Sequence, residues 1–356
     1  MNSENRKHFI DNIRWTVVVL VIVYHVAYLF NSAGVLSHIY ETGIPQFDII
    51  CYFIYPWLMP LMFLIAGISV RFSLQKRTAR QFIKERAQKL LVPFFGAMFL
   101  LGWICGWVNN QYVDMFAGNN VPVIVKYIVY CFAGNGPLWF LLESFIVSIV
   151  LLILRKIERN DCLWNFAKKS NLTVIIFLAL PFWGSSFLLN TPVVTVFRNG
   201  IYLFTFLIGY YIFSHEKIIN ILEKYRFLFL FAGVLLGITV TYIFYGKSFV
   251  DDKFLQYPLT NLYSWLMMMA IIGCFKKFFN NVNKLTEYIK NRNFFWYICH
   301  YPIMVILAFG ITTFLNLPFI FNYFLLLFGT LVLTIIFSEI IRLIPVLRVL
   351  IFGIKS

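Results

Sequence analysis

Apolar runs long enough to cross a bilayer recur along the whole 356-residue chain, separated by short polar breaks. They lie at 15–33, 47–70, 91–108, 137–154, 171–189, 199–214, 227–245, 257–275, 294–315 and 319–341. A helix rises about 1.5 Å per residue and the hydrocarbon layer is about 30 Å thick, so such runs read as membrane-spanning helices. The pattern predicts an all-α, polytopic integral membrane protein with about ten transmembrane helices and both termini on one side. One further stretch, VPVIVKYIVYCF at 121–132, is apolar but short. It predicts an interfacial or re-entrant helix ending at GNGP, 134–137. The first run lacks a small-residue cleavage site and similar runs follow it, which argues against a removable leader. No long linker, appended soluble domain or internal repeat is legible, so 1–356 reads as a single membrane domain.

Composition agrees: 61% of residues are hydrophobic, 13% are charged, and the mean hydropathy is +0.79. No water-soluble domain has that balance. The net charge of +15 would suit a nucleic-acid binder, but its distribution does not. With the spans above, every lysine and arginine except Lys126, Arg198, Lys247 and Lys253 falls on the side of the termini. This is the positive-inside asymmetry, so both termini are expected in the cytoplasm. The expected partner is the lipid bilayer of a bacterial-type inner (cell) membrane, with no nucleic acid. The six cysteines, at 51, 105, 131, 162, 274 and 299, show no metal-ligand spacing and no CxxC pair. Neither disulfides nor a metal site is expected.

Ionisable groups inside spans are costly and mark function more often than they do in a soluble core. In WTVVVLVIVYHVAYLF, residues 15–30, His25 lies eleven residues after Arg14. At about 100° per residue, eleven steps return to the same helix face, about 16 Å further along, which places His25 near mid-membrane. Val18 and Val21 lie between the two, and Tyr28 one turn beyond. The other such groups are Glu143 in the fourth run, Arg198 opening the sixth, Asn261 in the eighth, His300 in the ninth and Glu339 in the tenth. They form either packing networks, for instance Glu143 with Arg198, or a shared cavity suited to general base chemistry.

RFSLQKRTARQFIKERAQK, 71–89, carries seven positive charges and one acid, Glu85. It reads either as a topology signal that attracts anionic lipid or as a site for a phosphate-bearing ligand. Arg77 and Arg80, like Arg86 and Lys89, are spaced i, i+3, so each pair meets an anion from one helix face. In GNGPLWFLL, 134–142, Gly136 and Pro137 mark a turn into a helix, and Trp139 suits an interfacial aromatic belt.

Together these segments resemble the acyltransferase-3 family of integral membrane acyltransferases. The opening FIDNIRWTVVVLVIVYH resembles the family's first helix, with Asp11, Arg14 and His25 in matching places. PLMFLIAGISVRFSL (60–74) resembles the second span, and FIKERAQKLLVP (82–93) the basic segment entering the third. There Arg86-x-x-Lys89 stands where the family tends to show Arg-x-x-Arg. GPLWFLL (136–142), FRNGIYLFTFLIGYYIF (197–213) and FFWYICHYPI (294–303) resemble further family segments. SEIIRLIPVLRVLIFG (338–353) looks like the tail of the polysaccharide- and glucan-modifying branch.

The resemblance implies transfer of an acyl group, acetyl or succinyl, from cytosolic acyl-CoA to a hydroxyl of a glycan or related acceptor. His25 would be the general base or acyl carrier, with Arg14 and Glu143 in the catalytic set. Arg71, Arg77, Arg80, Arg86 and Lys89 would hold the CoA phosphates. Trp139, Arg198, Asn261 and His300 would line the acceptor side. The rival reading is a transporter or flippase for a lipid-linked sugar or small polar solute, using the same buried groups as a relay.

Overall fold

The computed structural model describes residues 8–158, 160–190, 198–315 and 317–354. Arg6, Lys7, Arg159 and Lys355, all on the basic side, lie outside the described residues. All regular structure among the described residues is helical. In chain order the helices used below are α1 (His8–Leu29), α2 (Asp48–Leu74), α3 (Ala79–Tyr112), α4 (Val123–Ala133), α5 (Trp139–Ile157), α6 (Leu172–Ser185) and α7 (Asn199–Tyr211). They continue as α8 (Glu216–Lys224), α9 (Arg226–Phe244), α10 (Pro258–Phe278), α11 (Lys284–Phe314), α12 (Phe319–Leu343) and α13 (Pro345–Phe352). Eight helices among the described residues have the length and hydropathy to cross a membrane, so the protein is an all-α polytopic membrane protein.

Two of the ten expected spans differ. The run 171–189 forms α6, two short helices meeting at Leu178, because Pro181 has no N–H to donate back along the turn. The run 199–214 is helical only over the 13 residues of α7. At about 1.5 Å per residue neither matches a 30 Å layer. The stretch 121–132 forms the 11-residue α4, which ends at Gly134 and leads into a 3₁₀ turn, Gly136–Leu138.

Local chemistry explains several boundaries. Thr78 and Gln81 cap α3 reciprocally: the Gln81 N–H donates to Thr78 Oγ1 and the Thr78 N–H to Gln81 Oε1. Within α3 the residues Ala87–Leu91 take π-helical pairing, and Pro93 just beyond cannot donate to the carbonyl of Lys89. This changes the phase expected for Arg86 and Lys89, and Lys89 Nζ instead approaches Glu85 at 3.8 Å.

The described chain divides into two compact units, each assembled from separated stretches. The first comprises 18–51, 84–145 and 292–354; the second comprises 8–17, 52–83, 146–158, 160–190 and 198–291. In the first, Ile22, Val26 and Leu29 of α1, with Phe30 just beyond its end, form a stripe packed on Cys105 and Val108 of α3, on Tyr301, Met304, Val305, Ala308 and Ile311 of α11, and on Tyr323 and Leu326 of α12. In the second, Arg71 of α2 is buried with Asp161 on both oxygens at 2.9 Å, Tyr210 Oη at 3.0 Å and the Trp164 ring at 4.3 Å. Arg71 Nη1 and Nη2 are thus already engaged by carboxylate and phenol oxygens, a structural lock rather than the open phosphate contact expected from sequence.

Candidate active site

The two stripes of the first unit place one polar residue each at their edges. His25 sits three residues after Ile22, and His300 four residues before Met304. Because α1 and α11 pack stripe to stripe, these flanking histidines meet: the ring centroids are 5.3 Å apart, and His300 Nε2 lies 3.3 Å from His25 Nδ1. Tyr301 closes on the His25 ring at 5.0 Å, and Tyr24 and Tyr28 pack on it from α1 at 5.1 and 6.1 Å. His300 is fully buried, whereas His25 keeps part of its surface exposed.

Hydrogen bonding assigns the tautomers. His300 Nδ1 lies 2.7 Å from the Tyr297 carbonyl, which can only accept, so Nδ1 carries the proton. In a neutral ring that leaves Nε2 of His300 as an acceptor, and His25 Nδ1–H donates to it. The basic lone pair of His25 is therefore on Nε2. A backbone carbonyl on α11 thus fixes the His300 tautomer that accepts from His25 Nδ1.

The segment 30–46 adds a third imidazole, one that no periodicity in the sequence marks. Ser32 is anchored by its N–H and hydroxyl to Asp48, Asn31 brackets Val35, and the Gly43 N–H donates to the Phe30 carbonyl. This fold-back seats His38, whose Nδ1 lies 2.9 Å from Tyr301 Oη and whose Nε2 lies 3.4 Å from the Ala133 carbonyl. The carbonyl requires Nε2–H, so the Tyr301 hydroxyl donates to Nδ1. His38, Tyr301, His25 and His300 form one continuous cluster. Its signal in the sequence was a loop histidine without periodicity, which cannot be told from an exposed one.

The turn after α4 supports the cluster. Tyr297 Oη donates to the Pro137 carbonyl, and the Phe140 ring packs on Tyr297 at 5.7 Å. Gly136 has φ +46°, and a Cβ there would meet the Tyr301 ring at 2.6 Å, so only glycine fits. Tyr297, Tyr301, Pro302, Asn135 and Pro137 line a cavity of about 10 Å³, roughly the space of one water.

Burial favours the neutral form of His38 and pushes its pKa below the ordinary histidine value, with the Ala133 carbonyl opposing. The unfolded chain then binds more protons at mildly acid pH than the folded one. Stability is expected to be complete above the ordinary value of about 6.5 and to decline as pH falls below it. Melting of the detergent-solubilised protein between about pH 5 and 8 checks this, and the slope should flatten in His38→Gln.

The other expected residues are placed as follows. Glu143 on α5 is 4% exposed and makes no hydrogen bond or ion pair among the described residues. Trp139 is half-buried at the start of α5. Arg14, in the second unit, is held by Asp11 at 3.1 Å and by Ser69 Oγ. Arg198 and Asn261, also in the second unit, are buried. Arg77 Nη1 donates to Ser73 Oγ at 2.8 Å, and Arg80 is exposed. Glu339 joins Arg292 and Arg342 at 2.8 and 2.7 Å, a packing network.

The family model of the acyltransferase domain of the acyltransferase-3 family matches residues 7–339. The chain belongs to the acyltransferase-3 family. No curated protein and no solved structure matched. Membership makes this acyltransferase-3 protein a membrane acyltransferase, the class of chemistry for which a neutral imidazole with an assigned lone pair is suited.

Proposed function

We propose that this acyltransferase-3 protein moves an acyl group, acetyl or succinyl, from cytosolic acyl-CoA to a hydroxyl of a glycan or related acceptor, with His25 Nε2 as the base. The His25–His300 hydrogen bond carries the reading. As the acceptor oxygen attacks the thioester carbonyl, its proton passes to His25 Nε2. The C–S bond then breaks and the thiolate takes that proton, which leaves an ester and free CoA. Transfer by way of an acyl group carried on Nε2 is the two-step form of the same chemistry. His300 acts as a positioning residue, and Glu143 and Trp139 belong to the acceptor side of the same unit.

Substrates would reach His25 by its partly exposed face. A reacting centre deep in the protein keeps water, a competing acceptor, scarce. Arg14 orients its surroundings through Asp11 and Ser69. Arg77 in the turn before α3, not on its face as the i, i+3 spacing suggests, and Arg80 in its first turn are the proposed contacts for the CoA phosphates, with Arg86 and Lys89 further along α3 as the second set. Cell-surface glycans of an inner-membrane host, compared by mass spectrometry with and without the gene, test the acceptor class. Acyl-CoA should protect the purified protein against heat, and Arg77→Ala/Arg80→Ala should weaken that protection about tenfold or more. Undiminished protection in the variant would remove Arg77 and Arg80 from the phosphate site.

A further inference from the structure

Within the second unit, α2 contains Pro56 and Pro60. Pro60 has no N–H, so the carbonyl of Pro56, four residues back, loses its helical partner. Two side chains supply it: Ser264 Oγ of α10 at 2.8 Å and Arg198 Nη1 at 3.1 Å. Ser264 alone would satisfy that oxygen, so the positive charge of Arg198 is not needed for it. Arg198 is 1% exposed, and among the described residues no carboxylate pairs with it. A buried cation without a counter-charge is strongly unfavourable and marks function in a span.

The free atoms are specific. Among the described residues, Arg198 Nε and Nη2 have no hydrogen-bond partner. These two N–H groups form one edge of the guanidinium, the edge that takes a carboxylate or phosphoryl group through two parallel bonds. Thr260, fully buried one turn before Ser264 on the same face of α10, also has an Oγ1 with no partner among the described residues, a hydroxyl able to donate. The phenol of Tyr55 lies within electrostatic reach of the guanidinium. Asn261 donates both its N–H bonds, to the carbonyls of Leu255 and Tyr257 at 2.8 and 3.1 Å, so it adds no donor.

We propose that Arg198, with Thr260, forms a buried oxyanion site in the second unit that binds a carboxylate or phosphoryl group of a ligand. The site stands on this unit's own residues and does not depend on the acyl-transfer reading. The anion comes either from a water-soluble acid or from a lipid headgroup.

The test uses full-length protein in nonionic detergent, with melting followed at matched ionic strength. Sodium phosphate and sodium acetate form one arm, mixed micelles containing phosphatidylglycerol form the other, and sodium chloride is the control. A saturable rise in midpoint is expected in at least one arm and not with chloride; the arm that responds names the source. Arg198→Leu should abolish the response while melting at or above wild type without anion, because the burial cost of the charge is gone. Arg198→Lys should weaken apparent affinity about tenfold, since the two-bond edge is lost. Thr260→Val provides a second reading if the leucine variant does not fold, and should also weaken the response. No saturable rise in either arm, or an equal rise in the variant that is made, overturns the proposal.

Discussion

Replacing His25 with alanine is expected to lower acyl transfer about 10²- to 10⁴-fold, the range that a positioned general base contributes. Expression should stay near wild type, because removing a titratable ring from a span relieves a burial cost. The mechanism makes a finer demand on His300. His300→Leu removes the acceptor for His25 Nδ1–H, and an expected loss of about ten- to hundredfold follows from a ring free to turn or change tautomer. His300→Gln can still accept that bond through its amide oxygen, so it should recover part of the loss. A merely structural His300 would give leucine and glutamine variants of equal activity. Activity should also fall on the acid side, since protonating either imidazole removes the lone pair on which the pair depends. Added imidazole restoring His25→Ala would support the base role; aggregation of that variant would assign His25 to packing instead.

Gly134→Ala is expected to be the most damaging single methyl in the first unit. A Cβ at Gly134 would overlap the backbone carbonyl of Gly102, so the helices α3 and α4 could not approach as they do. Overpacking of this kind costs about 1–3 kcal/mol, and here backbone rather than a flexible side chain must move. The consequence is functional as well. The turn beginning at Gly134 is flanked by the carbonyls of Ala133, which receives His38, and Pro137, which receives Tyr297. Shifting it loosens both supports of the histidine cluster. Melting temperature and transfer rate should fall together, and a variant with normal melting and normal activity would show that the close approach is dispensable.

Much of this was open to sequence reasoning. Helical phase placed Arg14 and His25 on one face of a continuous α1, because 3.6-residue periodicity holds in an unbroken helix. Hydropathy found the spans whose helices run unbroken long enough. It misjudged 171–189, where the effect of Pro181 on backbone pairing is invisible to an average over side chains. The same limitation applies at 87–91, where π-pairing shifts the phase that made Arg86 and Lys89 neighbours. Arg71 stands in the sequence among the expected phosphate contacts, and only the fold brings Asp161, ninety positions away, onto it.

The sequence by itself determined the membrane class, the helical content, the family and the shared helix face of Arg14 and His25, since each depends on local composition or on spacing within one helix. The tertiary structure decided that His25 has His300 for a partner, that Tyr297 sets the tautomer of His300, and that His38 joins through Tyr301. Those are contacts between residues 275 and 263 positions apart, made by packing one helix stripe on another. No periodicity within a single helix encodes such a meeting, because it depends on which faces of α1 and α11 are buried together.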